Sequence, residues 1–279
     1  MPVFLYLLPH ACLLIASILL LRPLLFKRER RAALFRSVNL ARPSITLLDG
    51  AVMLAVILFF LAFNLLGEYL SPDDTKAGQL SLASLVLGLS FHLIWIAPAL
   101  AILLRGEASL PATFGINRAT AWRDIRLGVR YGVMMLFPVF VVGGLTHLAF
   151  GFFNLPAKPQ DSILQLLDPG VPAALKVLFG VYAVTLVPVI EEAAFRGVLF
   201  PAFARVEPFL AILVYQAFLF SLIHLNAVAA PALFVVGVCL GLGYARTRSL
   251  LTPIVMHAVF NLNAMLSVLI YNLLEKAHA

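Results

Sequence analysis

The chain has 279 residues, 62% of them hydrophobic and only 12% charged, with a mean hydropathy of +1.02. Soluble domains carry about 25% charged residues, so a water-soluble fold is excluded and the bilayer must be the solvent. The net charge of +7 does not point to nucleic acid, because the basic residues cluster in short loops beside apolar spans, as membrane orientation requires.

Apolar runs of about 20 residues mark transmembrane helices. Eight are predicted, near residues 3–25, 45–66, 80–104, 127–153, 172–203, 209–226, 229–245 and 250–273. The expected fold is all-α: one polytopic membrane domain spanning 1–279, with about eight transmembrane helices around an intramembrane cavity. In the first run the positive charges follow the apolar stretch, so it reads as an uncleaved first span. Cys12 and Cys239 lie in apolar runs and read as packed thiols.

The connections alternate in charge. The first holds Arg22, Lys27, Arg28, Arg30, Arg31, Arg36 and Arg42 against Glu29. The second holds Glu68, Asp73 and Asp74 against Lys76. The third holds Arg105, Arg118, Arg123 and Arg126 against Glu107 and Asp124. The fourth has Lys158 against Asp161 and Asp168, and the loop before the last span has Arg246 and Arg248. Positive loops fall on the odd-numbered connections, which places them in the cytoplasm and both termini outside it. Short loops and a compact chain suggest a bacterial cytoplasmic membrane. The segment Arg105–Arg126, which mixes Leu110, Phe114, Ile116 and Trp122 with bases, is expected along the cytoplasmic interface. Gly128-x-x-x-Gly132 and Gly237-x-x-x-Gly241 permit close helix approach, within one subunit or between two.

The fifth run is interrupted by charge. Residues 188 to 197 read Pro-Val-Ile-Glu-Glu-Ala-Ala-Phe-Arg-Gly. A charge at the centre of a membrane helix costs about 2.5–3.5 kcal/mol on insertion scales, so such residues mark a functional site by default. Glu192 and Arg196 are four apart and share a face, which makes an ion pair natural. Glu191 lies about 100° round the helix and can point into a cavity. Pro188 breaks the helical ladder one turn earlier and frees a carbonyl.

The sixth run ends Phe220-Ser-Leu-Ile-His224, and the eighth contains His257-Ala-Val-Phe-Asn261. His257 and Asn261 share a face. One glutamate, two histidines and an asparagine from three helices can therefore converge on a polar pocket. Such a set suits hydrolysis: a buried carboxylate as general base, a histidine sharing the water or proton, and a second histidine with an amide donating to an oxyanion. A catalytic zinc held by Glu191, His224 and His257 is the competing use of the same groups. The His-Glu-x-x-His helix of common zinc proteases is absent, and asparagine is a poor zinc ligand. His10, His92 and His147 lack patterned partners and read as packed or interhelical hydrogen-bonding residues. Asn64 and Gln216 read as interhelical glue.

In order and spacing, Glu-Glu-x-x-x-Arg (Glu191, Glu192, Arg196), Phe-x-x-x-His (Phe220, His224) and His-x-x-x-Asn (His257, Asn261) resemble the CAAX-processing and bacteriocin-processing (CPBP, or Abi) intramembrane proteases, the family of the Rce1-like prenyl endopeptidases. The resemblance covers residues 172–265; the first four helices, within 1–153, are less diagnostic. It implies an eight-helix fold and peptide-bond hydrolysis near the membrane surface. It further implies that Glu191 and His224 activate water, that His257 and Asn261 form the oxyanion hole, and that Glu192, Arg196 and Phe220 support them. No cofactor is required by this mechanism, and zinc is the alternative. The expected partners are membrane lipids and a peptide or protein substrate, lipidated or membrane-anchored ones included, with no nucleic acid. A non-catalytic scaffold or immunity protein of the same fold is the second reading. A transporter with a midplane ionisable site ranks last, because repeated halves with matching broken helices are not seen.

Overall fold

The computed structural model describes residues 11–22, 40–70, 81–105, 109–157, 166–168 and 170–276. His10, most of the first basic loop, Asp73, Asp74, Lys76, Glu107, Lys158 and Asp161 lie outside the described residues. Among the described residues the fold is all-α, with no strand. The helices are α1 (Ala11–Arg22), α2 (Leu47–Leu70), α3 (Leu82–Leu104), α4 (Leu110–Phe114) and α5 (Arg118–Phe152). After them come α6 (Ala173–Glu192), a π-helical segment (Ala193–Leu199), α7 (Phe200–Phe203), α8 (Phe209–Leu222), α9 (Ala230–Thr247) and α10 (Leu251–Lys276).

Among the described residues six stretches are long and apolar enough to cross a bilayer, and the shorter apolar helices α1 and α8 fall in the other two predicted runs. The protein is an integral, multi-pass membrane protein. Its outward faces carry large apolar residues such as Leu48, Phe59, Leu87 and Leu148, which suit lipid rather than water. Cys239 is partly buried against the core, but Cys12 lies on the exposed face of α1 and is not the packed thiol expected from its apolar run.

Helix α5 differs from its predicted span. It begins at Arg118 rather than near 127, capped by Asn117 Oδ1, which accepts from the Ala119 amide at 2.9 Å. Charged residues are tolerated in its first turns because Asp124 is satisfied internally, accepting from Thr120 Oγ1 and from Arg123. The expected interfacial segment is likewise tied into the bundle. Phe114 enters the core, and its carbonyl accepts from the Leu250 amide at 2.9 Å, while Trp122 stays exposed. Arg105 pairs with Asp49 at the start of α2, and that hydrogen bond raises the guanidinium's pKa.

One proline site is compensated across helices. Pro138 cannot donate to the carbonyl of Met134, and Ser17 Oγ of α1 donates to that carbonyl instead, at 2.8 Å. The same hydroxyl accepts from the Phe137 amide at 3.1 Å. The two small-residue motifs serve packing within the chain. Gly128 and Gly132 of α5 lie against Val255, Met256 and Val259 of α10. Gly237 meets Ala217, and Gly241 meets Leu213 and Gln216, so α9 lies close on α8.

Candidate active site

Sequence places the irregularity of the fifth span at Pro188, before the glutamates. Helix α6 instead runs through Pro188 to Glu192, and the backbone widens immediately afterwards into the π segment Ala193–Leu199. Such wide turns recur at functional sites. This one is fully buried, and it brings Arg196 back onto Glu192. Arg196 Nη1 donates to Glu192 Oε1 at 2.9 Å, with both side chains 0% exposed. Arg196 Nη2 donates to the Gly237 carbonyl at 2.9 Å, and Gln216 Nε2 donates to the same carbonyl at 3.0 Å. A charge pair held without water needs such extra partners. Gln216 thus joins α8 to α9 as interhelical glue. Asn64 does not, since its amide donates to Phe60 O within its own helix.

Phe220 is the hub of the polar layer. The Arg196 guanidinium lies 4.9 Å from its ring centroid. The rings of His224 and His257 lie at 5.1 and 5.6 Å. This contact set gives physical content to the supporting role expected of Phe220.

His257, buried on α10, stands between the two glutamates. Its Nδ1 lies 3.0 Å from Glu192 Oε1, and its Nε2 lies 4.0 Å from Glu191 Oε2. A carboxylate can only accept, so Nδ1 carries the hydrogen in that contact. Glu191 is also buried, and its Oε2 has no hydrogen-bond partner among the described residues. Each glutamate keeps an Oε2 without a hydrogen-bond partner among the described residues, and they differ in place: Glu192 neutralises a guanidinium, while Glu191 lies on a cavity wall.

Helix α8 stops at Leu222, which releases the last carbonyls from the helical ladder. One of them, Phe220 O, lies 2.8 Å from His224 Nδ1. The carbonyl accepts, so Nδ1 is protonated and Nε2 of the neutral ring keeps a lone pair. Glu191 and His224 line one cavity of about 180 Å³, together with Phe60, Phe91, His92 and Trp95. A single water or a peptide carbonyl fits such a volume.

Two expected site residues lie behind or beside the cavity rather than on its wall. Neither His257 nor Asn261 is part of this cavity's wall. Asn261 Nδ2 donates to the Ala183 carbonyl at 2.7 Å, two turns before Glu191 on α6. His92, read as a merely structural histidine, is on the wall. Its sequence-distant polar contact is Tyr182, 90 residues away, and no local spacing could have linked the two. His147 is exposed on α5, apart from this site.

The alternative zinc set is not drawn together in this arrangement. Glu191, His224 and His257 do not form a cluster of three ligating groups among the described residues. The Nδ1 of His257 is turned to Glu192 and that of His224 to Phe220 O, which leaves Nε2 of each ring as the nitrogen open to a metal.

Residues 173–263 match the family model described as Type II CAAX prenyl endopeptidase Rce1-like. The class is thus that of an all-helical membrane protein with an Rce1-like region, which suggests a protease of the CAAX type. The matched region contains all three motifs: Glu191, Glu192 and Arg196; Phe220 and His224; His257 and Asn261. No curated protein and no solved structure matches the chain.

Proposed function

We propose that the protein is an intramembrane endopeptidase that hydrolyses a peptide bond in a lipidated or membrane-anchored substrate near the membrane surface. The observation that carries this reading is the shared cavity of Glu191 and His224, with the Glu191 Oε2 unpartnered among the described residues. A water held there adds to the scissile carbonyl carbon while Glu191 takes one of its protons, and His224 Nε2 accepts a hydrogen bond from that water. The carbonyl π electrons move onto oxygen. When the C–N bond breaks, Glu191 returns the proton to the departing nitrogen. One peptide and one water give a carboxylic acid and an amine.

His257 and Asn261 complete the oxyanion site where a substrate carbonyl reaches between α6 and α10. Glu192 orients the His257 ring through Nδ1 and balances positive charge on it, so that a protonated Nε2 can donate. Asn261 keeps a second amide hydrogen beyond the one given to Ala183 O. Arg196 and Phe220 hold Glu192 and the two imidazoles in register. No cofactor enters this scheme.

The test is a comparison of membrane-proteome termini in cells producing the wild type or Glu191→Gln. New peptide ends present only with the wild type are expected. The same ends in both strains would remove the glutamate mechanism. A phenotype retained by Glu191→Gln, with no new ends in either strain, would favour the non-catalytic scaffold.

A further inference from the structure

Helix α5 is longer than a bilayer requires. Its 35 residues run about 52 Å at 1.5 Å each, and about 20 residues suffice to cross the hydrocarbon. Counted back from Phe152, a crossing of about 20 residues ends near residue 133. The turns from Arg118 to Arg130 therefore stand in the headgroup layer and beyond it.

Those turns have two unlike faces. Gly128 and Gly132 lie against α10, and Asp124 is buried. Trp122, Arg126 and Arg130 are exposed and recur every four residues, so they form one stripe. Each of these two arginines precedes one of the glycines by two residues, about 200° round the helix, so the stripe faces away from α10. Arg123 is paired with Asp124. Arg118, Arg126 and Arg130 have no hydrogen bond or ion pair among the described residues. Membrane orientation needs positive charge on one side, but it does not need that charge ordered on one helix face. The helix N-terminus takes no part, since Asn117 caps it.

The chemistry of the stripe matches an anionic phospholipid. A guanidinium fork fits phosphate oxygens, and tryptophan suits the headgroup level. Helical side chains lean toward the N-terminus, which here is the headgroup side.

The stripe also shares a depth with the site. Gly128 meets Val255 of α10, and Gly132 meets Met256 and Val259. Thr252 Oγ1 donates to Asp124 O, so the two helices run in the same direction side by side. Arg130 lies between the two glycines as His257 lies between Val255 and Val259. His257 Nε2 is in turn 4.0 Å from Glu191 Oε2.

We propose that the face of α5 formed by Trp122, Arg126 and Arg130 docks anionic phospholipid headgroups, and that this contact holds the membrane surface at the depth of Glu191. The docking stands apart from the endopeptidase reading; its consequence for cleavage rests on that reading.

The first arm of the experiment uses the purified full chain and no substrate. Native mass spectrometry reads the lipid retained from micelles with equal phosphatidylglycerol and phosphatidylcholine, which share the phosphate and differ in net charge. The wild type is expected to favour phosphatidylglycerol. Arg126→Gln/Arg130→Gln is expected to lower that preference about 25-fold, at about fivefold for each base near an anionic surface. Lys158→Gln/Lys176→Gln removes the same charge beyond the other end of α5 and is expected to leave the preference intact. Equal retention of the two lipids by the wild type overturns the docking and leaves the face to an acidic segment of a soluble partner. Equal losses in the arginine and lysine variants also overturn it, since that is the mark of net charge alone.

The second arm measures cleavage in vesicles of phosphatidylcholine with and without phosphatidylglycerol, using a peptide whose new end depends on Glu191. The wild type is expected to gain several-fold in kcat/KM from phosphatidylglycerol. Arg126→Gln/Arg130→Gln is expected to match the wild type in phosphatidylcholine and to gain nothing. An equal gain in both proteins, or a gain in neither, overturns the link to the depth of the site. Finding no cleaved peptide removes the endopeptidase reading and that link with it, while the docking is decided by the first arm.

Discussion

His257 and Arg196 converge on one carboxylate oxygen, Glu192 Oε1, at 3.0 and 2.9 Å. Three helical segments are fastened by that atom: α6 through Glu192, the π segment through Arg196 and α10 through His257. Glu191, one residue earlier, lies on the cavity side of the same helix. The structural knot and the available carboxylate are thus neighbours, and a change in one can be separated from a change in the other.

Glu191→Gln is expected to lower peptide cleavage by about 10²–10⁴-fold, the usual size of a general-base contribution. Its melting temperature in detergent is expected within a few degrees of the wild type, because Oε2 makes no hydrogen bond that the amide would break. A monodisperse but inactive protein is the expected result on size-exclusion and cleavage assays.

Arg196→Met behaves in the opposite way. Removing one member of a fully buried pair leaves an uncompensated charge and costs about 3–5 kcal/mol. The double variant Arg196→Met/Glu192→Met removes both charges, and thermal unfolding is expected to return most of the lost stability. Cleavage is not expected to return, because His257 Nδ1 then has no acceptor to hold the ring.

Gly237→Ala tests the contact of α8 with α9. A Cβ there would lie 2.8 Å from Ala217 Cα and 3.0 Å from Ala217 Cβ. Overpacking of this kind costs about 1–3 kcal/mol. It would also move the carbonyl that accepts from Arg196 and Gln216. Gly180→Ala, with nothing within 4 Å of its Cβ, is the control and is expected to be neutral or slightly stabilising. Differential scanning fluorimetry of the two variants checks this.

Chelation addresses the zinc alternative directly. Because Glu191, His224 and His257 are not grouped to hold a metal ion among the described residues, cleavage is expected to continue undiminished after dialysis against 1,10-phenanthroline. Restoration of a lost activity by added zinc would reverse that reading.

The motif residues were legible in the sequence because each pair lies within one helix, where spacing alone fixes a shared face. The division of Glu191 from Glu192 follows from 100° per residue, and the Glu192–Arg196 pair formed as that geometry predicts. The apolar runs likewise announced the helices. The π segment was not legible, since a widened turn depends on what packs around it rather than on a local signal. The start of α5 was missed because Arg118, Arg123 and Asp124 look like loop residues until Asp124 is seen to be satisfied within its own helix. His92 makes the interhelical contact read for it, but its place on the cavity wall was not legible, for a related reason: its partner Tyr182 belongs to another helix far along the chain.

The π segment also divides the long span into two angular frames. Phe200, just beyond it, packs edge to face at 6.2 Å on Phe209 and 6.1 Å on Tyr244. Deleting one residue between 193 and 199 would let the backbone relax into an ordinary α-helix, with no loss of hydrogen bonding. Phe200 would keep its bearing on both rings, because the wide turn carries one residue more than the α-helical turn that replaces it, whereas a deletion in the flanking α-helix would turn everything downstream by about 100°. A change in length is therefore absorbed at the wide turn and not beside it.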